Sequence, residues 1–448
     1  MANNFPKKEQ QQALLDLTDY ICERALYFKA SAASVSISST EGHDLSFADG
    51  AVESLEFKGG YDISISIYIG NKVASFSTSD IRRPILDNAI SSLCNKVVYL
   101  EEDPHAKLPD KDLLAYSHKD LQLYYPCDIS IPEQISRLKE CEIHALAYNS
   151  SIKQCESVSF NCSSGYLVYA NTHGLRAAYS NSFYNLTCSL LASDKNNTMH
   201  RDYAYTLSRD PAALRSVNDI AIEAASNTLA RIGARTIKSQ KSRILFSPRT
   251  AKSLIGCFLH AISGSSIYRR ASFLQGCIDK KVFSDFVSII DDPFIIAGIG
   301  SSYCDAEGVA TKKRELVKGG VLQGYLLNSY TASQLGMNST GNAGGPHNIC
   351  VSSSSGDLQQ MLQELGTGLY VTELMGQGTN MITGDFSKGV FGFWVENGII
   401  SYPVHEVTIA ANLKNIFLNL VAIGGDVDMY GAVRTGSWLV EEMTIAGL

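Results

Sequence analysis

The arrangement of apolar and polar residues changes early in the chain from a helical period to strict alternation. Apolar residues recur every three or four positions over residues 13–28, which predicts an amphipathic helix. The segment ISISIYI at residues 63–69 alternates instead, as a half-buried strand does. We therefore expect an antiparallel meander over residues 35–77, with turns at Gly59-Gly60 and Gly70-Asn71.

Two further helices are predicted by their first residues. Ser130-Ile131-Pro132-Glu133 is a capping box with a proline in the first helical turn, so a helix should run from it toward Tyr148. Asp210-Pro211 offers a capping carboxylate followed by proline and predicts a helix that ends near Gly233. Strand-like segments fill the space between these helices.

The composition changes after Arg243 toward glycine and short apolar runs. Residues 244–246 read as a strand, and Ser247-Pro248 should cap a helix that extends to about Ile262. Short strands separated by glycine pairs follow. Gly319-Gly320 lies between two of them and predicts a hairpin.

The chain has 448 residues, which exceeds what one hydrophobic core usually serves. A polar, proline-containing segment at residues 101–112 has the composition of a linker. We predict an α+β fold with antiparallel sheets and flanking helices. Its parts would be an N-terminal α+β domain (1–110), a middle α+β domain (111–235) and a strand-rich C-terminal domain (236–448).

Charge and composition exclude several classes of function. A net charge of −7 argues against direct nucleic-acid binding, which needs clustered Lys and Arg. Residues 1–12 lack the apolar run of a signal peptide, and we find no apolar run long enough to span a membrane. We expect a cytoplasmic protein whose 11 cysteines are reduced thiols in small apolar sites, since no Cys-x-x-Cys occurs. No cysteine follows Cys350.

A search for catalytic motifs is largely negative. No serine has the flanking glycines of a nucleophile elbow. The segment GNAGG at residues 341–345 could present backbone amides to an anion, but it lacks the Lys and Ser/Thr of a phosphate loop. We interpret it as a structural or peptide-contacting turn.

Three histidines lie where a metal ligand or a functional contact is conceivable from the sequence. His405-Glu406 lies among β-branched residues that predict a strand, so we interpret it as a structural or interface histidine rather than a ligand. His260 has no second histidine within two helical turns and is expected in the core or an interface. His347 follows the glycine turn and is the best candidate for an exposed imidazole.

Six segments, in this order and spacing, resemble the PmbA/TldD metallopeptidase family, and in particular its PmbA branch, also called TldE. They are AISGSSIYRRASFL (261–274), DAEG (305–308), LLNSYTA (326–332), STGNAGG (339–345), YPVHEVTIA (402–410) and EMTIAG (442–447). The resemblance extends from about residue 30 to the end of the chain. It implies a metallopeptidase in which a TldD-like and a PmbA-like chain pair into a heterodimer that cleaves unfolded or flexible peptides.

The resemblance also implies where zinc would be bound. In the TldD branch a His-Glu-x-x-x-His helix and a late cysteine hold the metal. The corresponding helix here is residues 252–264, whose one imidazole is His260, so Ile255 and Gly256 would stand at the His-Glu pair. The late stretch, residues 429–436, has no cysteine. We therefore expect no catalytic residue, metal or cofactor in this chain, and zinc in the TldD-like partner.

The resulting hypothesis is a non-catalytic subunit that is inactive in isolation, where homodimers are possible. A peptide could add as a strand to a sheet edge. Thr340, Asn342 and His347 are the candidates for peptide contacts. Two alternatives stay open: a regulatory binding protein of the gyrase-modulator or toxin-antitoxin type, and a hydrolase with an unrecognised site at His347 or His405-Glu406.

Overall fold

The computed structural model describes residues 8–195 and 197–448. Its helices are α1 (Lys8–Tyr27), α2 (Arg83–Val97), α3 (Ile131–Ala147), α4 (Val217–Leu229), α5 (Pro248–Ala261), α6 (Gly264–Tyr268), α7 (Ser329–Gln334), α8 (Leu358–Leu365) and α9 (Leu413–Leu418). Its strands are β1 (Ala32–Ala48), β2 (Ala51–Ile69), β3 (Lys72–Thr78), β4 (Ile152–Asn171), β5 (Arg176–Ser193), β6 (Met199–Ser208), β7 (Gln240–Phe246), β8 (Ile289–Asp292), β9 (Arg314–Lys318), β10 (Val321–Leu322), β11 (Asn348–Val351), β12 (Gly368–Met375), β13 (Asp385–Glu396), β14 (Ile399–Asn412), β15 (Leu420–Ile423), β16 (Val433–Arg434) and β17 (Trp438–Ala446).

The first six strands form one antiparallel sheet in the order β3-β2-β1-β4-β5-β6. The predicted meander is confirmed, but Gly59-Gly60 lies inside β2 rather than in a turn. The turn that joins β1 and β2 is Asp49-Gly50, and both of its residues adopt positive φ, as a two-residue hairpin turn requires. Since β1 also pairs with β4, the sheet continues across the predicted 1–110 and 111–235 units. The division of the chain into three domains stays a prediction.

Helices cover this sheet in two groups. Helices α1 and α2 pack on one apolar cluster, and α3 and α4 pack on another. The predicted cap of α3 is confirmed, because the Ser130 side chain accepts a hydrogen bond from the Glu133 backbone. Asp210 caps only one short 3₁₀ turn, so the expected helix start there is wrong. The hydroxyl of Ser216 caps α4 instead, by accepting from the Asp219 backbone N–H at 3.1 Å.

The C-terminal half contains two sheets. One has the order β14-β13-β12-β7-β17-β15 and the other β10-β9-β8-β11-β16. Both are mixed, since β7 pairs in parallel with β12 and β11 with β16, so the expectation of antiparallel sheets holds for most pairs and the α+β class is confirmed. The Gly319-Gly320 hairpin between β9 and β10 is also confirmed.

Between residues 8 and 448, Asn196 excepted, no helix is both long and apolar enough to cross a membrane.

Candidate functional site

Helix α5 is the element around which the site is built. It follows β7 directly, and its first turn is closed by Ser247, whose side chain accepts from the Thr250 backbone N–H at 3.3 Å. Leu254, Ile255 and Phe258 are fully buried in the C-terminal core. A proline after the cap and an apolar stripe at helical spacing account for this start and orientation.

The last turn of α5 opens on a cavity of about 400 Å³, which we call the His260 cavity. His260 is exposed there, so of the two expected places the core is wrong, and an interface stays a prediction. The buried face of α5 packs on the sheet. His260 lies on the other face of the helix, so its imidazole faces solvent. The polar residues and glycines of the lining are His260, Ser263, Gly264, Ser265, Asn328, Thr331, Asn342, Gly344 and Gly345.

The predicted glycine turn forms one wall of this cavity. Gly341, Gly344 and Gly345 have positive φ angles of 71°, 94° and 117°, which residues with a Cβ rarely adopt. The buried carboxylate of Asp305 holds the turn by accepting from the Ala343 backbone N–H at 3.0 Å. Burial raises the pKa of Asp305 to about 6, against the opposing effect of the backbone hydrogen bonds that it accepts.

The three predicted peptide contacts meet in one hydrogen-bond network. Thr340 Oγ1 lies 2.7 Å from Asn342 Oδ1, and Asn342 Nδ2 donates to Asp291 Oδ2 at 2.9 Å. The backbone N–H of His347 donates to Asp291 Oδ1 at 2.8 Å, and His347 Nδ1 lies 3.1 Å from Asp291 Oδ2. Arg314 Nη1 donates to Asn342 Oδ1 at 3.0 Å. Asp291 is the common partner, and its side chain is 1% exposed.

This network changes the interpretation of His347. We expected an exposed imidazole, whereas His347 is 7% exposed. The expectation is wrong because β8 and β11 pair antiparallel and bring Asp291 opposite the start of β11. His405 lies on β14, as predicted, with its side chain 39% exposed and Nδ1 3.8 Å from Glu406 Oε1.

The loop around residues 428–436 includes the late stretch that corresponds to the metal-binding cysteine of the TldD branch. It is bonded to the first half of α5. Lys252 Nζ lies 2.6 Å from Asp428 Oδ2 and donates to the Tyr430 carbonyl at 2.5 Å. Burial lowers the pKa of Lys252, and the bond to Asp428 opposes that shift. Tyr205 of β6 donates to the same carboxylate at 3.4 Å. The loop is therefore held by an ion pair that also touches the N-terminal sheet.

The residues of this site do not fit zinc. Zinc in proteins takes Cys, His and carboxylate ligands. Ile255 is buried among apolar side chains, Gly256 has no side chain, and the polar side chains that line the cavity beside His260 are hydroxyls and amides. Within residues 8–195 and 197–448, no three His, Cys, Asp or Glu side chains are grouped so as to hold a metal.

Sequence reasoning missed Asp291, Asp305 and the Lys252–Asp428 pair. The signal for Asp291 was available, since two aspartates followed by a proline end the short apolar strand β8. The partners of Lys252 lie far along the chain and have no local signature.

Comparison with known proteins identifies the class of protein. Sequence models of three PmbA/TldA metallopeptidase domains match the chain: domain 1 at residues 33–98, the central domain at 124–232 and the C-terminal domain at 239–447. The matches show that this α+β protein corresponds to the three domains of a metallopeptidase family, in order along the chain.

Relatives make the assignment specific. The chain is 38% identical over 419 residues to the Metalloprotease PmbA of Escherichia coli O157:H7, which covers 94% of this chain and 93% of that protein. It is 36% identical over 441 residues to the Metalloprotease PmbA homolog of Haemophilus influenzae, covering 98% and 97%. The chain belongs to the PmbA/TldD metallopeptidase family, in its PmbA branch.

Solved structures agree with this assignment. A structure described as a modulator of DNA gyrase, from Bacteroides thetaiotaomicron, superposes with a TM-score of 0.93 at 25% identity and covers 99% of this chain and 100% of that one. TldE from Thermococcus kodakarensis has a TM-score of 0.84 at 18% identity, covering 96% and 100%, and bears on the fold alone.

Proposed function

We propose that this chain is the PmbA/TldE-like subunit of a two-chain metallopeptidase that cleaves unfolded or flexible peptides in the cytoplasm. We further propose that the zinc and the general base lie in a TldD-like partner. The observation that carries this proposal is the combination of full-length similarity to proteins named Metalloprotease PmbA with an α5 that presents isoleucine and glycine before its single histidine.

The His260 cavity supports a role in shaping the path of a peptide. Its lining of hydroxyls, amides and glycines can hydrogen-bond an extended main chain without selecting side chains. Of the predicted contacts, Asn342 lines the cavity, while Thr340 and His347 bond to Asn342 or to its partner Asp291. The polar atoms of Asn342 are already bonded within the network, so we propose that Asn342 contacts the peptide by packing against it and that the other two are positioning residues for the turn.

Co-expression with the TldD-like chain of the same organism tests this function. The expected result is peptide cleavage and bound zinc in the pair, with neither in the isolated PmbA-like chain. Light scattering of each sample would give its oligomeric state. An inactive pair, or zinc and turnover in this chain alone, would contradict the proposal.

The peptide contact has its own test in the reconstituted pair. Asn342→Ala should raise KM or lower kcat/KM for a flexible peptide, whereas Asn380→Ala changes an amide outside the cavity and should leave both unchanged. Unaltered kinetics in Asn342→Ala would remove that contact.

A second candidate function is suggested by the name of the Bacteroides structure, a modulator of DNA gyrase. The net charge of −7 favours protein contact over DNA contact in that case. Binding to gyrase with no peptide cleavage by the pair would favour this candidate over the peptidase subunit.

A further inference from the structure

The core between the N-terminal sheet and helices α3 and α4 is unusually rich in thiols. Five of its buried residues are cysteines, and each is a free thiol: Cys127, Cys141, Cys155, Cys162 and Cys188. The sequence alone predicts all of them to be reduced thiols in small apolar sites. Two of them have surroundings that this interpretation does not explain.

Cys127 and Cys162 are paired with each other. Cys162 lies on β4, opposite His43 of β1, and Cys127 lies just before the capped start of α3. Each thiol is the largest influence on the pKa of the other, and both belong to one cluster of packed buried residues. The two sulfurs are therefore neighbours before any oxidation takes place.

Both thiols line a cavity of about 560 Å³. A water molecule occupies about 30 Å³ of liquid, so the cavity is large enough to hold a peroxide. His43 and Gln134 form part of the same wall and are joined by a 2.6 Å contact from His43 Nε2 to Gln134 Oε1. A small oxidant can thus reach two thiols that are 2% and 6% exposed.

The electrostatic surroundings favour a thiolate at Cys127. The neighbouring Cys162 thiol lowers the pKa of Cys127, burial and Asp128 oppose that shift, and the Ile129 backbone and Arg137 add to it. Cys127 and burial raise the pKa of Cys162. A thiolate beside a protonated thiol is the arrangement of an attacking and a resolving cysteine.

We propose that Cys127 and Cys162 are a redox-active thiol pair that a peroxide converts into an intramolecular disulfide. The Cys127 thiolate attacks one oxygen of hydrogen peroxide, the O–O bond breaks, and hydroxide leaves and takes a proton to become water. Cys162 then attacks the sulfur of the Cys127 sulfenic acid, the S–O bond breaks, and a second water leaves. Two thiols lose two electrons and two protons, and the peroxide is reduced to two waters.

The disulfide would join β4 to the segment that leads into α3 and close the loop between them. Reduction by a small dithiol restores the free pair. This inference does not depend on the proposed peptidase function, because neither thiol lines the His260 cavity.

Peptide mapping of the full-length chain tests the proposal. The reduced protein is treated with hydrogen peroxide at pH 7, the free thiols are blocked, and the digest is analysed without reductant. We expect a peptide in which Cys127 is linked to Cys162, and its loss after dithiothreitol. Cys162→Ser should stop at a Cys127 sulfenic acid that dimedone captures, and Cys155→Ser, which removes a thiol outside this cavity, should still give the linked peptide.

A kinetic measurement on the wild-type chain needs no variant. Cys127 should react with a small thiol reagent in the folded protein roughly tenfold faster than Cys155, because Cys127 has a lowered pKa and lines the cavity, whereas Cys155 is 1% exposed and does not line it. As a control, the thiols of the untreated protein are counted after denaturation to show that all of them start reduced. If they do and peroxide still yields no linked peptide, the proposal is wrong. It is also wrong if Cys155 reacts as fast as Cys127.

Discussion

Two cores of the molecule differ in what they bury. The core under α3 and α4 contains five thiols among its buried residues and lies beside one buried carboxylate, Glu142 of α3. The core under α5 has no cysteine among its fully buried residues and borders the buried carboxylates of Asp291 and Asp305. A thiol behaves as a small apolar group and makes weak demands on its neighbours. A buried carboxylate must have its hydrogen bonds satisfied. The cysteine positions of the core under α3 and α4 should therefore tolerate small apolar replacements. The carboxylate positions beside the core under α5 should not.

The largest effect should come from Asp291→Ala. It leaves Asn342 Nδ2, the His347 backbone N–H and the His347 ring without their common acceptor. We expect a loss of about 3–5 kcal/mol in the free energy of unfolding, measured in urea. Asp285→Ala is the control, since the Asp285 side chain is 80% exposed, and should change less than about 0.5 kcal/mol. A loss below about 1 kcal/mol for Asp291→Ala would contradict the comparison.

The next effect concerns Asp305 and depends on pH. Its pKa is raised from 3.8 to about 6 by burial, so the folded protein binds more protons than the unfolded chain between these values. The resulting stability is present below about pH 4 and is lost as the pH rises through 6. Relative to Asp305→Asn, the wild type should lose up to about 3 kcal/mol of unfolding free energy between pH 4 and 7.

Asp292 is the matched control for this pH dependence. Burial acts to raise its pKa, but the hydrogen bonds from Lys313 and the Phe294 backbone N–H, with the charges of Lys313 and Arg434, together outweigh burial and lower the pKa. Its contribution should therefore be lost as the pH falls, the reverse of Asp305. If the unfolding free energy changed with pH in the same direction for both residues, the burial of Asp305 would not be the cause of its pH dependence.

The ion pair at the junction of the halves should have an intermediate effect. Lys252→Met removes the partner of Asp428, whose side chain is 16% exposed and which also accepts from Tyr205. We expect a loss of about 2 kcal/mol in unfolding free energy. Adding Asp428→Asn should recover part of it, because the unpaired charge is then removed. Equal losses in the single and double variants would mean that the pair is not coupled.

The smallest effect should come from the thiol-rich core. Cys188 is fully buried beside Cys141 and Cys155. Cys188→Ala should cost about 1 kcal/mol of unfolding free energy for the lost sulfur volume. Cys188→Ser should cost more, because a hydroxyl there needs a hydrogen-bond partner that sulfur does not. If serine and alanine behave alike, the core is more polar than its packing indicates.

Much of the fold could be predicted because its signals are local. Alternation predicted the meander, and the caps at Ser130 and Ser247 predicted the starts of α3 and α5. The errors arose where a local signal was not the one the structure uses. Gly59-Gly60 predicted a turn but lies inside β2, because the pairing of β1 with β2 places the turn at Asp49-Gly50. Asp210 predicted a helix start but caps one short 3₁₀ turn, and α4 begins after Ser216.

The site was predicted only in part. Thr340, Asn342 and His347 do come together, but around Asp291, which lies 56 positions before His347. The exposure of two histidines was reversed, with His260 exposed and His347 buried. Both outcomes depend on which strand or helix face covers the residue, and no local pattern contains that information.

The sequence by itself determined the order of helices and strands, the family segments, and the isoleucine and glycine that precede His260 on α5, because each is a property of neighbouring residues. Only the tertiary structure decided which polar groups are buried and which partners they have. The Asp291 network, the Lys252–Asp428 pair and the contact between Cys127 and Cys162 all join residues that are distant in the chain. Burial and hydrogen bonding are set by that packing, and with them the chemistry of each group.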